Sequence, residues 1–266
     1  MNTKTLNILF IADIIGPAGF EILSSMFDSL SEEYSPDLII VNGENAAGGK
    51  GLTPRLADDI LKLGVDVITS GNHIWDKNKI YPVLNDQLRI LRPMNYSSEN
   101  PGHGSCVVES KSGVLIGVIN LQGRSFMYPI DCPFETLDRA LDQMRRKNVS
   151  IIIVDFHAEA SAEKLALGWH ADGRVSALIG THTHVQTADE KILPGGTAYL
   201  TDAGMTGSFN SVIGMNKYSA IKRFKSQMPV PYQLAEGDYW LNGTMISLNP
   251  KTGKAEKIER LQKPWK

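Results

Sequence analysis

Polar residues that can bind metal ions follow successive short apolar runs in this chain, and this repeated placement constrains the fold more than any other feature. The apolar runs cover residues 6–12, 38–42, 65–70, 151–156 and 175–179. The polar residues that follow them are Asp13, Glu44, Asn45, Asn72, His73, His157, His182 and His184. Short β-branched runs bounded by glycines are typical of parallel strands, and ligand sites in open α/β sheets lie at the carboxyl ends of such strands. We therefore predict that residues distant in sequence meet at one sheet edge.

Helical patterns alternate with these runs in the first part of the chain. Residues 17–34 place apolar side chains on one helical face, and Thr53 with Pro54 forms a helix-start signal before the third run. Residues 133–147 show the same helical spacing further along. Repeated strand–helix units favour a parallel sheet with right-handed crossovers. The chain is therefore predicted to belong to the α/β class.

The last third of the chain has a different pattern. Residues 196–200, 239–248 and 255–261 are typical of antiparallel strands, with a turn at residues 249–253. This change argues against a regular eight-fold barrel, in which strand and helix alternate throughout. It favours two packed mixed β-sheets flanked by helices, a four-layer α/β/β/α sandwich. Because no internal repeat or linker interrupts the sequence, we predict a single domain over residues 1–266.

Composition argues against several classes of protein. The 266 residues carry a net charge of −2, so a broad basic surface for nucleic acid is not expected. Residues 6–15 are too short for a membrane span, contain Asp13 and lack a cleavage pattern after them. The two cysteines, Cys106 and Cys132, match no disulfide framework or thiolate zinc motif. These features predict a cytoplasmic protein without membrane contact.

The predicted strand-end residues form a mixed oxygen and nitrogen ligand set. Aspartate, glutamate, asparagine and histidine together suit borderline divalent ions such as manganese, iron or zinc rather than calcium. A carboxylate can bridge two such ions about 3.5–4 Å apart, and the pair can activate a water while neutralising phosphoryl oxygens. His182 and His184 are two residues apart, which in an extended segment puts both rings on one side. One ring would then serve each ion.

The order of these motifs resembles that of the calcineurin-like metallophosphoesterases. The matching blocks are Asp13, residues 43–45, residues 71–73, His157 and residues 180–184. Five separate blocks in the family's order make the resemblance specific, and it extends over most of the chain. It implies the calcineurin-like metallophosphoesterase fold.

Departures from the superfamily pattern indicate which branch of the superfamily the chain resembles. Ile15 stands where the superfamily usually has the histidine of an Asp-x-His block, and Glu44 followed by Asn45 stands where a bridging aspartate is usual. Together with residues 43–51 and 168–186, these differences look like the bacterial YmdB-type branch. That branch is linked to the hydrolysis of cyclic-nucleotide phosphodiesters.

The resemblance implies two metal sites that share Glu44 as a bridging ligand. The first site would be completed by Asp13 and His184. The second would be completed by Asn72, His157 and His182. Because Ile15 removes one nitrogen ligand, the first ion should have a more oxygen-rich coordination. Iron or manganese is favoured for the two divalent transition-metal ions, with zinc as an alternative.

The implied activity is that of a dinuclear metal-dependent phosphodiesterase, in which a metal-activated hydroxide attacks phosphorus. His73 would lie beside the metals and protonate the leaving oxygen. Asn45 would hydrogen-bond a phosphate oxygen or orient the attacking hydroxide. The implied substrates are small cyclic nucleotides, in the 2′,3′-cyclic form, the 3′,5′-cyclic form or both.

Other functions remain as alternatives. A regulatory nucleotide- or RNA-binding protein would keep the same pocket and turn over slowly. A phosphomonoesterase is less favoured, although metal ligands alone do not distinguish a diester from a monoester. An amidohydrolase is also less favoured, because its His-x-His pair usually lies in the first barrel strand whereas here the pair is late. Contact with RNA ends and formation of a homo-oligomer stay open.

Several further polar residues are interpreted as structural. Asp155 and Glu159 are predicted to be solvated loop residues rather than residues that orient a neighbouring histidine. His103 and His170 are assigned to loops, with His170 the better candidate for contact with substrate. Residues 43–51 do not match the P-loop pattern. A run of basic residues could attract the phosphates of a nucleotide, but such a run is more typical of a solvated face, to which we assign Lys217, Lys222, Arg223 and Lys225.

Overall fold

The computed structural model describes residues 5–266, and residues 1–4 of the predicted domain lie outside the described residues. The strands within this range are β1 (Leu6–Ile11), β2 (Asp13–Ile14), β3 (Leu38–Asn42), β4 (Val67–Thr69), β5 (Ser105–Glu109), β6 (Leu115–Gln122), β7 (Ile151–His157), β8 (Ala177–Thr181), β9 (Lys191–Ile192), β10 (Ala198–Leu200), β11 (Met205–Ser208), β12 (Ser211–Val212), β13 (Met215–Asn216), β14 (Tyr239–Leu248) and β15 (Ala255–Trp265). The α-helices are α1 (Gly16–Tyr34), α2 (Pro54–Lys62), α3 (Tyr81–Asp86), α4 (Pro133–Arg146), α5 (Ser161–Ala171) and α6 (Lys217–Ser226). Two 3₁₀ helices, Asn72–Asp76 and Asn78–Ile80, precede α3.

The longer strands form two mixed sheets. The first sheet has the order β2-β11-β14-β1-β3-β4, and β15 pairs with β14. The second sheet has the order β5-β6-β7-β8-β10-β9, and β12 pairs with β13 in a separate hairpin. In the first sheet, the parallel strands β1, β3 and β4 come first in the chain, and the antiparallel strands β14 and β15 are added later. This is the change of pattern predicted for the last third of the sequence.

Three apolar layers hold the two sheets and their helices together. Phe10 of the first sheet and Ile153 of the second lie in one buried cluster between the sheets. Leu23 of α1 packs on the outer face of the first sheet. Leu137 of α4 and Leu167 of α5 pack on the outer face of the second. The predicted four-layer α/β/β/α sandwich is therefore confirmed.

Both sheets end their parallel strands at one edge. Strands β1, β3 and β4 run parallel in the first sheet, and β6, β7 and β8 run parallel in the second. Asn42, the last residue of β3, donates from Nδ2 to Asp155 Oδ2 of β7 over 2.9 Å. This bond joins the carboxyl ends of the two sheets, so residues that follow these strands face a common space.

One strand prediction is wrong in its pairing. The strand expected at residues 196–200 begins two residues later as β10, and it pairs in parallel with β8 rather than only antiparallel. Its few residues give no pattern that distinguishes the two kinds of pairing. The predicted antiparallel pairing of β14 and β15 is confirmed over nearly their whole length.

Helices α5 and α6 were not recognised in the sequence, and His170 lies in α5 rather than in a loop. Glycine lowers helix propensity, so Gly168 hid the pattern. A Cβ at Gly168 would lie 2.5 Å from Tyr199 Cε2, so the glycine lets α5 approach β10 closely. His170 Nε2 lies 2.9 Å from Asp138 Oδ1 and therefore has a structural partner. Among residues 5–266, no helix is long and apolar enough to cross a membrane.

Candidate metal centre and cleft

Polar residues from five strand ends meet at the common edge of the sheets. Glu44 lies at the centre of the group. Its Oε1 is 3.0 Å from His157 Nε2, and its Oε2 accepts the backbone N–H of His73 over 3.0 Å. The structure brings together the sequence-predicted residues Asp13 at the start of β2, Glu44 and Asn45 after β3, Asn72 and His73 after β4, His157 at the end of β7, and His182 and His184 after β8.

Two groups of potential ligands share Glu44. One consists of Glu44, His157 and His182, and the other of Asp13, Glu44 and His184; within each, the ligand atoms lie within 4.8 Å of one another. These groups coincide with the two sites implied by the motif order, apart from Asn72. Their assignment as metal ligands stays a prediction, because the geometry gives proximity and not coordination.

Unpartnered oxygens indicate that the residues fit a cation. Neither carboxylate oxygen of Asp13 accepts a well-aligned hydrogen bond within residues 5–266, although Oδ2 lies 3.3 Å from His184 Nε2. Asn72 Oδ1 is likewise buried without a donor in the described part of the chain. Leaving a buried acceptor unsatisfied is costly. Two divalent cations would satisfy these oxygens, so the donor set fits the predicted metals.

Gly71 allows the strand ends to approach this closely. A Cβ at this position would lie 2.1 Å from His157 Cδ2 and 2.5 Å from Glu44 Oε2. Real side chains do not tolerate such distances, so any other residue would displace His157 or Glu44. The glycine before Asn72 is therefore required by the packing of the ligand groups, and not only by a turn.

The two ligand groups that share Glu44 are together called the centre, and the charges within it shift several pKa values. Burial disfavours ionisation of Glu44, but His157 and His73 outweigh it and hold the pKa of Glu44 well below its usual range. Burial, followed by the charge of His157, lowers the pKa of His182 to about 3. For His184, burial is outweighed by the adjacent carboxylate of Asp13, which raises the pKa of His184 to about 9. Without metal, the centre therefore uses protons to balance its carboxylates, and metal binding would displace them.

The backbone of the two late histidines differs from the prediction of an extended segment. His182 has φ 98° and His184 has φ 64°, both in the left-handed region. Non-glycine residues rarely adopt such values, and they occur mostly where surrounding structure enforces them. The turn sends His182 to His157 and His184 to Asp13. One ring still serves each group, but through a strained turn rather than through strand alternation.

Asp155 is fully buried, so its interpretation as a solvated loop residue is wrong. Burial raises the pKa of Asp155 to about 7. Thr181 Oγ1 donates to Asp155 Oδ1 over 2.7 Å and lies 2.9 Å from His157 Nδ1. Because the hydroxyl hydrogen is directed to Asp155, Thr181 accepts from His157 Nδ1–H. This fixes the ring and leaves His157 Nε2 to face Glu44.

Glu159 also contacts the centre, contrary to the interpretation of a solvated loop residue. Its Oε2 lies 3.0 Å from His182 Nε2, while His182 Nδ1 lies 3.0 Å from His157 Nε2. The carboxylate remains about half exposed. Glu159 therefore orients the His182 ring from the solvent side.

A buried ion pair supports the strained histidine turn. Lys164 Nζ lies 2.6 Å from Asp202 Oδ2, and both side chains are 1% exposed. Asp202 Oδ2 also accepts the backbone N–H and the hydroxyl of Thr183. Since Thr183 lies between His182 and His184, this pair holds the turn from beneath. No local sequence pattern indicates this ion pair, because Lys164, Asp202 and Thr183 come from separate elements.

His73 and Asn45 lie between the ligand groups and the open cleft. His73 Nδ1 is 2.9 Å from Asp76 Oδ2, so the carboxylate orients the ring. Asn45 Nδ2 donates to Glu44 Oε1 over 3.1 Å and lies 3.2 Å from His184 Nε2. Both side chains therefore lie next to the ligand groups, and their catalytic roles stay predictions.

A cleft of about 510 Å³ opens beside the centre. The inner side includes Glu44, His73 and His184, and the outer side includes Phe224 and Tyr232. Arg223 of α6 is exposed, as expected for a solvated face, and it also lines the cleft. No motif surrounds Phe224 or Tyr232, so their place in the cleft is visible only in the structure.

Comparison with known proteins identifies the family. The profile of the YmdB-like protein family matches residues 9–261. A Bacillus subtilis protein named 2′,3′-cyclic-nucleotide 2′-phosphodiesterase is 47% identical over 256 residues, covering 96% of each chain.

Solved structures agree with the fold. A Mycoplasma pneumoniae structure described as a novel phosphatase superposes with a TM-score of 0.91 at 33% identity, covering 98% of this chain and 94% of that one. A 5′-nucleotidase precursor from Thermus thermophilus has a TM-score of 0.62 at 15% identity; the alignment covers 98% of this chain but 54% of that one, and it supports the fold alone. The calcineurin-like resemblance is thereby confirmed, and this chain belongs to the YmdB-like protein family.

Proposed function

We propose that this chain is a dinuclear metal-dependent phosphodiesterase that hydrolyses 2′,3′-cyclic nucleotides. The observation that carries the proposal is the pair of ligand groups sharing the buried carboxylate of Glu44, with His73 directly beside them. The name of the Bacillus relative supports this substrate class. Hydrolysis of 3′,5′-cyclic nucleotides is an extension of the same chemistry, since it also breaks one of two ester bonds in a ring.

The ligand groups would hold the two ions in different surroundings. Asp13 and His184 would complete the first site with Glu44, and the second would use His157 and His182 together with the unpartnered Asn72 oxygen. Iron or manganese suits this mixed oxygen and imidazole set, with zinc as an alternative. When bound, two such ions supply charge that polarises the phosphoryl group and acidifies water.

His73 would supply the proton for the leaving oxygen. Asp76 engages its Nδ1, which leaves Nε2 as the atom available to substrate in the cleft. His73 is only partly exposed, so its ring has few alternative orientations. A positioned imidazolium can transfer its proton to a ribose oxygen as the P–O bond breaks. The ribose is a poor leaving group without that proton.

Asn45 would orient the phosphate. Its amide nitrogen is already directed toward Glu44 Oε1 and the His184 ring, at the border between the two ligand groups. An N–H donor at that border is suited to an anionic oxygen that develops charge during the reaction. Asn45 would therefore bind the phosphate without transferring a proton to it, whereas His73 would transfer its proton to the leaving oxygen.

The experiment that tests this proposal combines metal dependence with product identity. Protein stripped of metal and reloaded with manganese or iron should convert adenosine 2′,3′-cyclic phosphate to a single monophosphate. Chelation should abolish the reaction, and adenosine 3′,5′-cyclic phosphate should be tested in parallel. The two adenosine monophosphates are the control for phosphomonoesterase activity. Rapid hydrolysis of those monoesters, or cyclic-nucleotide turnover that survives chelation, would contradict the proposal.

A further inference from the structure

We infer that Phe224 and Tyr232, here called the aromatic wall, bind the nucleobase of the substrate. The inference rests on the proposed function and adds to it a site for the part of the substrate that does not react. Both residues line the same cleft as His73 and His184. The nucleobase therefore has an aromatic surface available within the space where the phosphate would bind.

The position of His73 determines which side of the centre the nucleobase occupies. In a 2′,3′-cyclic nucleotide, the leaving oxygen and the nucleobase belong to the same ribose. The base must therefore lie on the side of the residue that protonates that oxygen. His73 lines the cleft with the aromatic wall, whereas the neighbouring cavity of about 320 Å³ is bounded by Asn72, His182 and Phe126.

The exposure of the aromatic wall is not explained by packing. Phe224 is 70% exposed and Tyr232 is 37% exposed. Helix α6 buries only Ala220 among its own residues, so its attachment to the fold does not depend on Phe224. Aromatic rings at the border of a nucleotide site stack on bases, an interaction that every base can make.

The glycine-rich loop after Asn45 holds Tyr232 in place. Gly49 has φ 89°, and a Cβ there would lie 2.6 Å from Tyr232 Cε1. The backbone of the loop therefore packs directly against the ring. Gly49 N–H donates to Asn45 O over 3.1 Å, so the segment that positions Asn45 also positions Tyr232. The aromatic wall is thus continuous with the catalytic side of the cleft.

Two cations accompany the aromatic wall. Lys50 Nζ lies 5.9 Å from the centroid of the Tyr232 ring, and Arg223 lines the cleft beside Phe224. The ring face attracts the Lys50 cation, and both positive charges complement an anionic nucleotide. The combination of two rings and two cations suits a nucleotide better than an apolar ligand.

The test compares two substrates that differ only in the base. These are adenosine 2′,3′-cyclic phosphate and the 2′,3′-cyclic phosphate of 1-O-methylribose. Tyr232→Leu and Phe224→Leu should each raise KM for the nucleotide about 10-fold, the scale of a stacking contact, with little change in kcat. Their KM for the base-free substrate should equal that of the unmodified protein. Tyr232→Phe, which keeps the ring, should restore the KM for the nucleotide that Tyr232→Leu loses.

Tyr218→Leu is the matched control, because Tyr218 is an exposed aromatic residue on α6, the helix that carries Phe224. It should leave both KM values unchanged. Equal losses for the two substrates would overturn the inference, since the rings would then shape the centre rather than bind the base. A base-dependent loss in Phe126→Leu, without one in Tyr232→Leu, would place the base in the neighbouring cavity and also overturn it.

A binding measurement separates failure of this inference from failure of the proposed phosphodiesterase function. If the unmodified protein hydrolyses neither substrate, the phosphodiesterase proposal fails, and equilibrium dialysis with adenosine 3′-phosphate decides the inference. A Kd raised about 10-fold in Tyr232→Leu, but not in Tyr218→Leu, would support the aromatic wall as a base site. Equal Kd values would reject it.

Discussion

The two sides of the cleft are built in different ways. On the inner side, Glu44 and His157 are fully buried at the ends of paired strands, and hydrogen bonds fix them from behind. On the outer side, Phe224 lies on helix α6, in which Ala220 is the one buried residue. Tyr232 lies outside any strand or helix. The inner side therefore derives its geometry from the sheets. The outer side is held instead by α6 and by the glycine-rich loop that packs against Tyr232.

This difference separates chemistry from recognition. Ligands that share a bridging carboxylate must keep their mutual distances, which is why Glu44 and His157 are buried and held by hydrogen bonds. A wall that stacks on a base needs only a flat surface at roughly the right distance. Substitutions on the inner side should therefore change metal binding and kcat, and those on the outer side should change KM.

The largest effect is expected for Glu44→Ala. This change removes the carboxylate common to both ligand groups and leaves His157 without its buried partner. Metal content, measured by elemental analysis after dialysis, should fall from near two ions per chain to near none, and turnover should be lost. Glu135→Ala, at an exposed site on α4, is the control. Retention of both ions by Glu44→Ala would show that the two groups do not share a bridge.

The next largest effect is expected for His73→Ala, which separates proton donation from metal binding. The variant should keep its metals, because only the backbone N–H of His73 contacts Glu44. Its kcat should fall about 10²–10⁴-fold, the usual contribution of a positioned general acid. The loss should be smaller with a nitrophenyl diester, whose leaving group needs little protonation. Equal losses for both leaving groups would exclude His73 as the proton donor.

The same contrast explains what the sequence revealed. The inner residues were predictable because each follows a short apolar run, and parallel pairing brings such strand ends together. Gly71 was also visible, although the reason for it, close approach to His157, required the structure. The fold class followed from the same alternation and from its failure in the last third. The pattern of apolar runs is therefore sufficient to predict those residues whose positions are determined by the sheets.

The parts that were missed depend on contacts between distant segments. Asp155 looked like a loop residue, but it forms bonds with three other strands or strand ends. Helix α5 was hidden by Gly168, whose role is to admit Tyr199. The aromatic wall joins α6 to the glycine-rich loop through Gly49, and no local pattern records that contact. Such positions follow from tertiary packing, which single-sequence periodicity does not contain.

A smaller effect is expected for Lys164→Met, which tests the support beneath the histidine turn. Removing one partner of a buried pair leaves Asp202 uncompensated, and the free energy of unfolding should fall by about 3–5 kcal/mol. Metal affinity should fall about 10–100-fold as Thr183 loses its fixed acceptor. Urea unfolding and metal titration measure the two effects.

A second variant distinguishes positioning from stability. Lys164→Met combined with Asp202→Asn removes the buried charge and should recover part of the lost stability. Its metal affinity should remain low, because the amide does not reproduce the anionic acceptor that holds Thr183. Lys225→Met, at an exposed site on α6, is the control for loss of a lysine. Recovery of metal affinity in the double variant would show that Lys164 stabilises the fold without positioning the turn.

The smallest effect is expected for Glu159→Gln, and Thr181→Val provides the comparison from the buried side. Both changes weaken a partner of a ligand histidine, but Thr181 is buried whereas the Glu159 side chain is 51% exposed. Thr181→Val should weaken metal binding about 10–100-fold, since His157 Nδ1–H loses its acceptor. Glu159→Gln should weaken it at most about 5-fold, because exposed charge pairs contribute little. Metal titrations of both variants measure the ratio, and a larger effect at Glu159 would mean that solvent-side contacts, rather than the buried network, fix the ligand geometry.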